Sequence, residues 1–298
     1  MDLGKHAFLV LAHNEFAVME RLLYCLDDER NDIYIHFDRK LDQLPDFRLR
    51  KARLFVLSDR VDVRWGDVSM IEAEYKLFET AARRQTYAYY HVLSGVDLPL
   101  KHQDDLHAFF NYYQGKEFIG ISQKTTEQEI DRKVRRVHLY AKLFRPGKGI
   151  AVMWYRTIRA LVLRVQLLLR IKRNHDVVFK KGPQWISVTD DFVRYILDKK
   201  KAVLKTYQKT FCSDEIFIQT LCWNSDFRLR LFNSMQEMQG CQRIIGWQNG
   251  ELIEWTDADF DRLIASDMLF ARKFSSENRQ LLERIVNHVT NKSTYNIT

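Results

Sequence analysis

The sequence predicts an α/β protein with a mostly parallel sheet covered by helices on both faces, in a single large domain. Residues 6–97 alternate short apolar runs with stretches of helical spacing, the pattern of strand–helix–strand units. The 298 residues, 46% hydrophobic and 29% charged, suit one large domain with a real core. With 11 Gly and 4 Pro there is little material for long flexible linkers.

His6–Ala12 reads as the first strand, ending at His13-Asn14. Phe16, Met19, Leu22, Leu23 and Leu26 then recur at helical spacing. Residues 33–37 make a second strand that ends at Asp38, and residues 54–57 a third. Val68, Ile71, Tyr75, Phe78 and Ala82 form the inner stripe of a helix. Residues 87–93 are a fourth strand, closed by Ser94-Gly95. In such sheets ligands gather at the carboxyl ends of strands. His13, Asn14, Asp38 and Asp97 fall at or just after those ends, although polar residues end most strands.

Residues 127–143 read as a basic helix carrying Arg132, Lys133, Arg135, Arg136 and Lys142, broken by Pro146-Gly147. Residues 150–173 are strongly apolar but interrupted by Arg156, Arg159, Arg164, Arg170, Lys172 and Arg173. Each arginine costs a few kcal/mol at a bilayer centre, which argues against a membrane span. Two readings stand: an interfacial helix lying on anionic lipid, or a helix packed on the sheet with Arg156, Arg159 and Arg170 in solvent. Further on, residues 184–188 and 243–247 read as strands, residues 191–199 and 257–265 as helices, and a polar helix ends the chain.

The net charge of +8 suggests an anionic partner (nucleotide phosphates, anionic lipid or nucleic acid) or simply a basic solvated surface. Cys25, Cys212, Cys222 and Cys241 show no CxxC spacing, which argues against zinc and a disulfide framework. No signal peptide precedes the first apolar run, so a cytoplasmic chain with reduced thiols is expected. GxGxxG, Walker and HExxH motifs are missing, which disfavours a dinucleotide fold and a P-loop ATPase.

Phe211-Cys212-Ser213-Asp214-Glu215 places two adjacent carboxylates where a loop turns into an apolar helix. Ser213 is a good N-cap, and acids in a first turn complement the helix dipole. A carboxylate at such a junction can also act as general base on a hydroxyl.

Seven segments together resemble the Core-2/I-branching family of glycosyltransferases, which includes peptide O-xylosyltransferases. Phe8-Leu9-Val10-Leu11-Ala12-His13-Asn14 is similar to its first strand and turn, and Ile35-His36-Phe37-Asp38-Arg39-Lys40 to its HxDxK segment. Arg64-Trp65-Gly66-Asp67-Val68-Ser69 resembles its WGG-x-S motif, with Asp67 replacing the second Gly. His91-Val92-Leu93-Ser94-Gly95-Val96-Asp97-Leu98-Pro99-Leu100 matches LSGxDxPL. Gly182-Pro183-Gln184-Trp185 resembles GSQW, Ser213-Asp214-Glu215 resembles PDE, and Phe270-Ala271-Arg272-Lys273-Phe274 resembles FARKF. The likeness runs from residue 6 to about 275. Single motifs are weak; seven in order are strong.

The resemblance implies a GT-A-like, Rossmann-like fold and an inverting glycosyltransferase using a UDP-sugar. It implies a nucleotide-binding half at residues 1–125, a basic helical insertion at 126–175, and an acceptor and catalytic half at 176–298. Glu215 aligns with the family's base, with Asp214 supporting it. Lys273 and Arg243 align with the cations that hold the diphosphate in place of a metal, and Arg272 is a weaker third. His13, Asn14, Asp38 and Arg64 belong to the donor side; Trp65, Asp97, Trp185 and Arg136 to the acceptor side. The DxD of Asp257-Ala258-Asp259 falls at a predicted helix start, so no metal or other cofactor is expected.

UDP-GlcNAc is the first expectation for the donor and UDP-xylose the second. The acceptor would be a glycan hydroxyl, on a lipid-linked precursor of a surface polysaccharide if residues 150–173 touch lipid. Animal members of the family are lumenal, anchored and disulfide-bonded. With neither feature in this sequence, a bacterial-type member is expected, cytoplasmic or peripheral on the inner face of the plasma membrane. The competing readings are a non-enzymatic, basic, membrane-peripheral or nucleic-acid-binding protein, and a family member that binds UDP without transfer. Nucleic acid is disfavoured because no recognised binding motif occurs.

Overall fold

The computed structural model describes residues 4–139, 150–248 and 251–291. In chain order the elements are β1 (His6–Ala12), α1 (Phe16–Cys25), β2 (Asn31–Phe37), β3 (Arg53–Val56), α2 (Ser69–Arg84), β4 (Tyr89–Ser94), β5 (Leu98–Pro99), α3 (Gln103–Tyr112), α4 (Glu127–Lys133) and α5 (Ile150–Leu168). They continue with β6 (Ser187–Val188), α6 (Asp190–Asp198), α7 (Lys200–Tyr207), α8 (Phe217–Trp223), α9 (Glu237–Cys241), β7 (Arg243–Ile245), β8 (Trp247–Gln248), β9 (Glu251–Leu252), α10 (Phe260–Ile264), β10 (Phe270–Arg272) and α11 (Arg279–Thr290).

The main sheet has the order β3-β2-β1-β4-β6, with β6 alone antiparallel to its neighbour. β1 is buried along its whole length because helices cover both faces. Its side chains alternate as the pleat requires. Ala7, Leu9 and Leu11 join one core with α2, α6, α7 and α8; Phe8, Val10 and Ala12 join another with α1, α3 and α11. A second sheet, β5-β10-β7, carries the 270–274 segment, and β8 pairs with β9. This is the mixed α/β architecture expected of a GT-A-like protein.

The chain runs outward from β1 to β2 and β3, then returns to β4 on the other side of β1. That reversal opens a crevice at the carboxyl ends of β1 and β4, where a ligand is expected. His13, Asn14 and Asp97 lie at its rim by sequence position, and Asp38 follows β2 next door.

Several expectations need correction. The basic helix ends at Lys133, and residues 140–149, including Lys142 and Pro146-Gly147, lie outside the described residues. The strand anticipated over 184–188 is reduced to Ser187–Val188, the two residues that find ladder partners, His91 and Tyr90, on β4. Ser213 does not cap α8: Ile216 occupies the cap position, and Ser213 Oγ is buried without a hydrogen-bond partner.

The largest surprise is α5. Gln166 bonds Val137 N and O at 2.8 and 2.9 Å, and Arg159 lies 4.7 Å over the Phe211 ring. The inward face is therefore held by polar and cationic groups, while Leu161 and Leu168 are 60% and 82% exposed. Arg156, Arg159 and Arg170 do not share one solvent face, since Arg159 turns inward and Arg170 lies past the helix end with a left-handed φ of 53°. Among the described residues no helix is long and apolar enough to cross a membrane.

Candidate active site

Three of the sequence motifs meet at the turn of residues 211–216. Phe211 N donates to Lys133 O and Cys212 N to Gly66 O, each at 3.0 Å, and Gly182 N donates to Glu215 O at 2.9 Å. Ile216 N and Phe217 N both donate to Ser213 O at 3.0 Å. Gly66 has φ +77°, and a Cβ there would stand 2.6 Å from the Phe211 ring. Glycine is what permits both the left-handed backbone and the close approach. Trp65, 41% exposed, sets its ring edge-on to Phe211 at 5.3 Å.

The turn presents Glu215 half-buried between two lysines. Its Oε2 lies 3.7 Å from Lys133 Nζ and 3.6 Å from Lys181 Nζ. Both lysines also contact Glu129 Oε1 at 3.0 Å. Burial pulls the Lys181 ammonium down, but Glu215 and Glu129 more than offset it and leave its pKa raised. The neighbouring Asp214 has a buried Oδ1 with no hydrogen-bond partner. Burial first, and then the Glu215 charge, push Asp214 up to about 7.

Next to this pair lies a second cluster. Arg272 Nε faces Asp97 Oδ1 at 3.4 Å, an ion pair outside hydrogen-bond alignment, and the guanidinium lies 4.1 Å over Trp185. Asp97 accepts Ser94 N at 3.0 Å and Ser94 Oγ at 2.5 Å, so the 94–97 turn aims its carboxylate. Burial raises the Asp97 pKa despite Arg272. Burial lowers that of Arg272, against the pull of Asp97 and Glu215. Glu215 is also among the charges that act on Arg272.

A third group lies at the ends of β1 and β2. Asp38 is held by Lys40 through N at 3.0 Å and Nζ at 2.5 Å. Burial lowers the pKa of His13, which Asp38 raises and Lys40 and Lys273 lower, placing Lys273 in its electrostatic reach. Lys273 itself pairs with Glu254 at 2.9 Å.

The model of the family described as Core-2/I-Branching enzyme matches residues 6–267. The chain belongs to the Core-2/I-branching enzyme family. This is a family of glycosyltransferases. The human N-acetyllactosaminide beta-1,6-N-acetylglucosaminyl-transferase is 22% identical over 292 residues, covering 90% of this chain and 67% of that protein. Xylosyltransferase oxt of Drosophila pseudoobscura pseudoobscura is 23% identical over 289 residues (86% and 30%), and xylosyltransferase 2 of Canis lupus familiaris 24% over 308 residues (95% and 33%). The chain thus spans about a third of the length of the xylosyltransferases it matches.

In this Core-2/I-branching member the structure brings Asp214, Glu215, Asp97, Trp185 and Arg272 together, with His13, Asp38 and Lys273 as a neighbouring group. Trp65 is tied to the centre through Phe211, and Asn14 is exposed beside His13. Arg64 is engaged by Asp62 through Nε at 3.1 Å and Nη2 at 2.8 Å. Arg136 lines a separate cavity of about 530 Å³ with Glu129, Asp131, Arg132 and Leu167, linked to Glu215 through Glu129.

Arg243 is placed differently from an open phosphate ligand. It is 1% exposed, and donates to Cys241 O, to Ile186 O at 2.8 Å and to Ser187 Oγ at 2.9 Å. Burial lowers its pKa to about 10, with Asp97 among the opposing charges. It stands behind Asp97 as an interior cation. The acids of the DxD are also occupied: Asp259 forms a capping box with Thr256, and Asp257 pairs with Arg284 at 2.9 Å.

Sequence reasoning missed Lys181, Glu129 and Glu74 as members of the site, and treated Lys133 as one charge of a basic helix. Lys181 stands immediately before Gly182-Pro183-Gln184-Trp185, and Glu74 is an acid three residues after Ile71 on the apolar stripe of α2. An acid at a stripe position is a signal available to a careful reader of periodicity.

Proposed function

We propose that this protein is an inverting glycosyltransferase that moves a sugar, GlcNAc before xylose, from a UDP-sugar to a glycan hydroxyl without a metal. The observation that carries this reading is Glu215: a carboxylate at the mouth of the site, flanked by Lys133 and Lys181 and within the field of Arg272. In the proposed step Glu215 takes the proton of the acceptor hydroxyl. The acceptor oxygen attacks the anomeric carbon from the face opposite the diphosphate. The bond to the phosphate oxygen breaks, UDP leaves with the electron pair, and configuration inverts. One base suffices, unlike the carboxylate pair of most glycoside hydrolases.

Lys273 and Arg272 are the cations proposed to meet the diphosphate, with Arg243 strengthening the field from behind. His13, Asn14, Asp38 and Arg64 serve the nucleoside side. Trp65, Asp97, Trp185 and Arg136 serve the sugars, where aromatic faces suit sugar C–H faces and a carboxylate can hold two hydroxyls. The nucleotide half lies at 1–125, the insertion at 126–175 and the acceptor half at 176–298.

A screen of donor hydrolysis and transfer over UDP-sugars, with and without EDTA, tests the reading. One donor turned over equally in chelator, and lost in Glu215→Gln, is the expected result. Full activity in Glu215→Gln, or loss in EDTA restored by a divalent ion, would overturn the mechanism.

The acceptor is proposed to be a lipid-linked glycan of surface polysaccharide synthesis, met on the inner face of the plasma membrane. The outward leucines of α5, beside the exposed Arg164 and Arg170, support contact with an anionic surface. Flotation with phosphatidylglycerol vesicles but not with phosphatidylcholine vesicles is expected. Equal recovery with both, or with neither, would remove the membrane from the proposal.

A further inference from the structure

The cavity of about 530 Å³ beside α4 has no part in any step above. Its two acids are already matched. Glu129 Oε1 meets Lys133 and Lys181 at 3.0 Å each, and Asp131 meets Arg135 at 3.0 Å and Lys172 at 2.5 Å. Its two arginines are not. Among the described residues neither Arg132 nor Arg136 has an ion pair, and Arg136 Nε is buried without a hydrogen-bond partner. Residues 140–149 contain no Asp or Glu that could supply one.

The surroundings add positive charge. Burial lowers the pKa of Arg159 on α5, and Arg132 and Arg156 lower it further. Burial pulls His138 down to about 4, and Arg159, Arg132 and Arg136 act in the same direction. Like charges gathered in a half-enclosed place repel one another, and a bound anion removes the repulsion. Gln128, one turn before Arg132 on α4, brings an amide donor to the same lining. Each guanidinium is a planar fork of donors that fits phosphate oxygens. A carboxylate occupies one fork; two forks suit a group with oxygens on several sides.

We propose that this cavity is a second anion subsite, apart from the cations of the donor diphosphate, and that it holds a phosphate or diphosphate of the acceptor between Arg132 and Arg136. The inference rests on the transferase reading and names the acceptor's chemistry. Glu129 is the wall toward the base, since the two lysines that pair with it are the ones flanking Glu215 at 3.7 and 3.6 Å. Arg136, assigned above to the acceptor's sugars, then also meets the phosphate that carries them. At the other side Leu167 lines the cavity at 52% exposure, and Leu168 and Leu169 follow at 82% and 65%. That apolar rim favours a lipid diphosphate over a phosphorylated glycan as the source.

Calorimetry on the whole chain with UDP at saturation, so that the donor cations are occupied, reads this cavity. Inorganic pyrophosphate is expected to bind under those conditions. Arg132→Met should weaken it about tenfold, the loss of one charge-assisted contact, and leave UDP affinity unchanged. Arg132 is exposed, so the fold should tolerate the change. Arg48→Met removes an equal charge from a side chain 89% exposed elsewhere, and should alter neither affinity. Geranyl diphosphate binding more tightly than pyrophosphate would assign the group to a lipid-linked acceptor, and equal affinity to a phosphorylated glycan; both support the subsite.

The proposal is overturned if pyrophosphate does not bind beside UDP, if Arg132→Met binds it as the wild type does, or if glucuronate binds more tightly than pyrophosphate. Should UDP itself not bind, the proposed function falls, and pyrophosphate titrated alone still judges the cavity. Loss in Arg132→Met without loss in Lys273→Met would then support the subsite, and the reverse would overturn it.

Discussion

Arg272 and Asp97 face one another at 3.4 Å under the cover of Trp185: Asp97 directly precedes β5 and Arg272 ends β10, antiparallel neighbours in one sheet that come from distant parts of the chain. Asp97 is 1% exposed, so its charge depends on Arg272 and on the Ser94 contacts. Removing one partner of a buried pair leaves a charge without compensation, at a cost of about 3–5 kcal/mol. Arg272→Met should therefore lower stability by that amount in urea unfolding, and Arg272→Lys by less. Asp97→Asn should destabilise as well, because it leaves the buried guanidinium of Arg272 without its counter-charge.

Glu215→Gln is expected to reduce kcat by about 10²- to 10⁴-fold, the range for loss of a positioned general base. Thermal unfolding should change little, since the carboxylate is partly exposed and its two lysine contacts are long, at 3.6 and 3.7 Å. A matching loss of stability would assign Glu215 a structural role instead.

Lys273 and Glu254 give a pair of opposite predictions. Their contact at 2.9 Å must open for Lys273 to meet a diphosphate. Lys273→Met should raise the donor KM by about tenfold, as loss of one charge-assisted contact would. Glu254→Gln should lower it by about twofold, the scale of an exposed ion pair. Donor titration by initial rates, or UDP binding by calorimetry, reads both.

Asp214 sets a pH dependence whose sign can be worked out. Its folded pKa, about 7, lies above the ordinary 3.8. The folded state therefore binds this proton more tightly than the unfolded chain does. The contribution to stability is fully present below the unfolded value and is lost as pH rises through the folded one. Asp214→Asn should consequently be more stable than the wild type at pH 8, by on the order of a few kcal/mol. The advantage should vanish by about pH 4, as unfolding followed across that range would show.

Gly182 is held where a Cβ would stand 1.9 Å from Gly120 O, an approach that backbone movement alone relieves. Gly182→Ala is expected to cost about 3 kcal/mol or more by overpacking. It should also lower turnover, because Gly182 N holds Glu215 O.

Much of this was legible in the chain because it is local. β1 and β2 follow from short, mostly apolar runs, and α2 from its stripe. The order of seven short motifs indicated the family before any fold was known. Trp65-Gly66, Gln184-Trp185 and Asp214-Glu215 could be singled out, since each motif is contiguous. Their meeting at one turn could not be read, because it depends on three backbone hydrogen bonds between segments remote from one another in the chain.

By itself the sequence determined the strand–helix alternation, the parallel sheet and the identity of the residues at the strand ends. Periodicity and strand length are properties of neighbours along the chain, and they survive without knowledge of packing. Tertiary structure decided what each charge does. Arg243 and Arg272 look alike in sequence, yet one is enclosed behind Phe270 and the other reaches the site. Ser213 looks like a cap and makes no cap bond, and α5 turns its leucines outward. Burial and the distance to an opposite charge govern the state of an ionisable group, and both are set by segments remote in the chain.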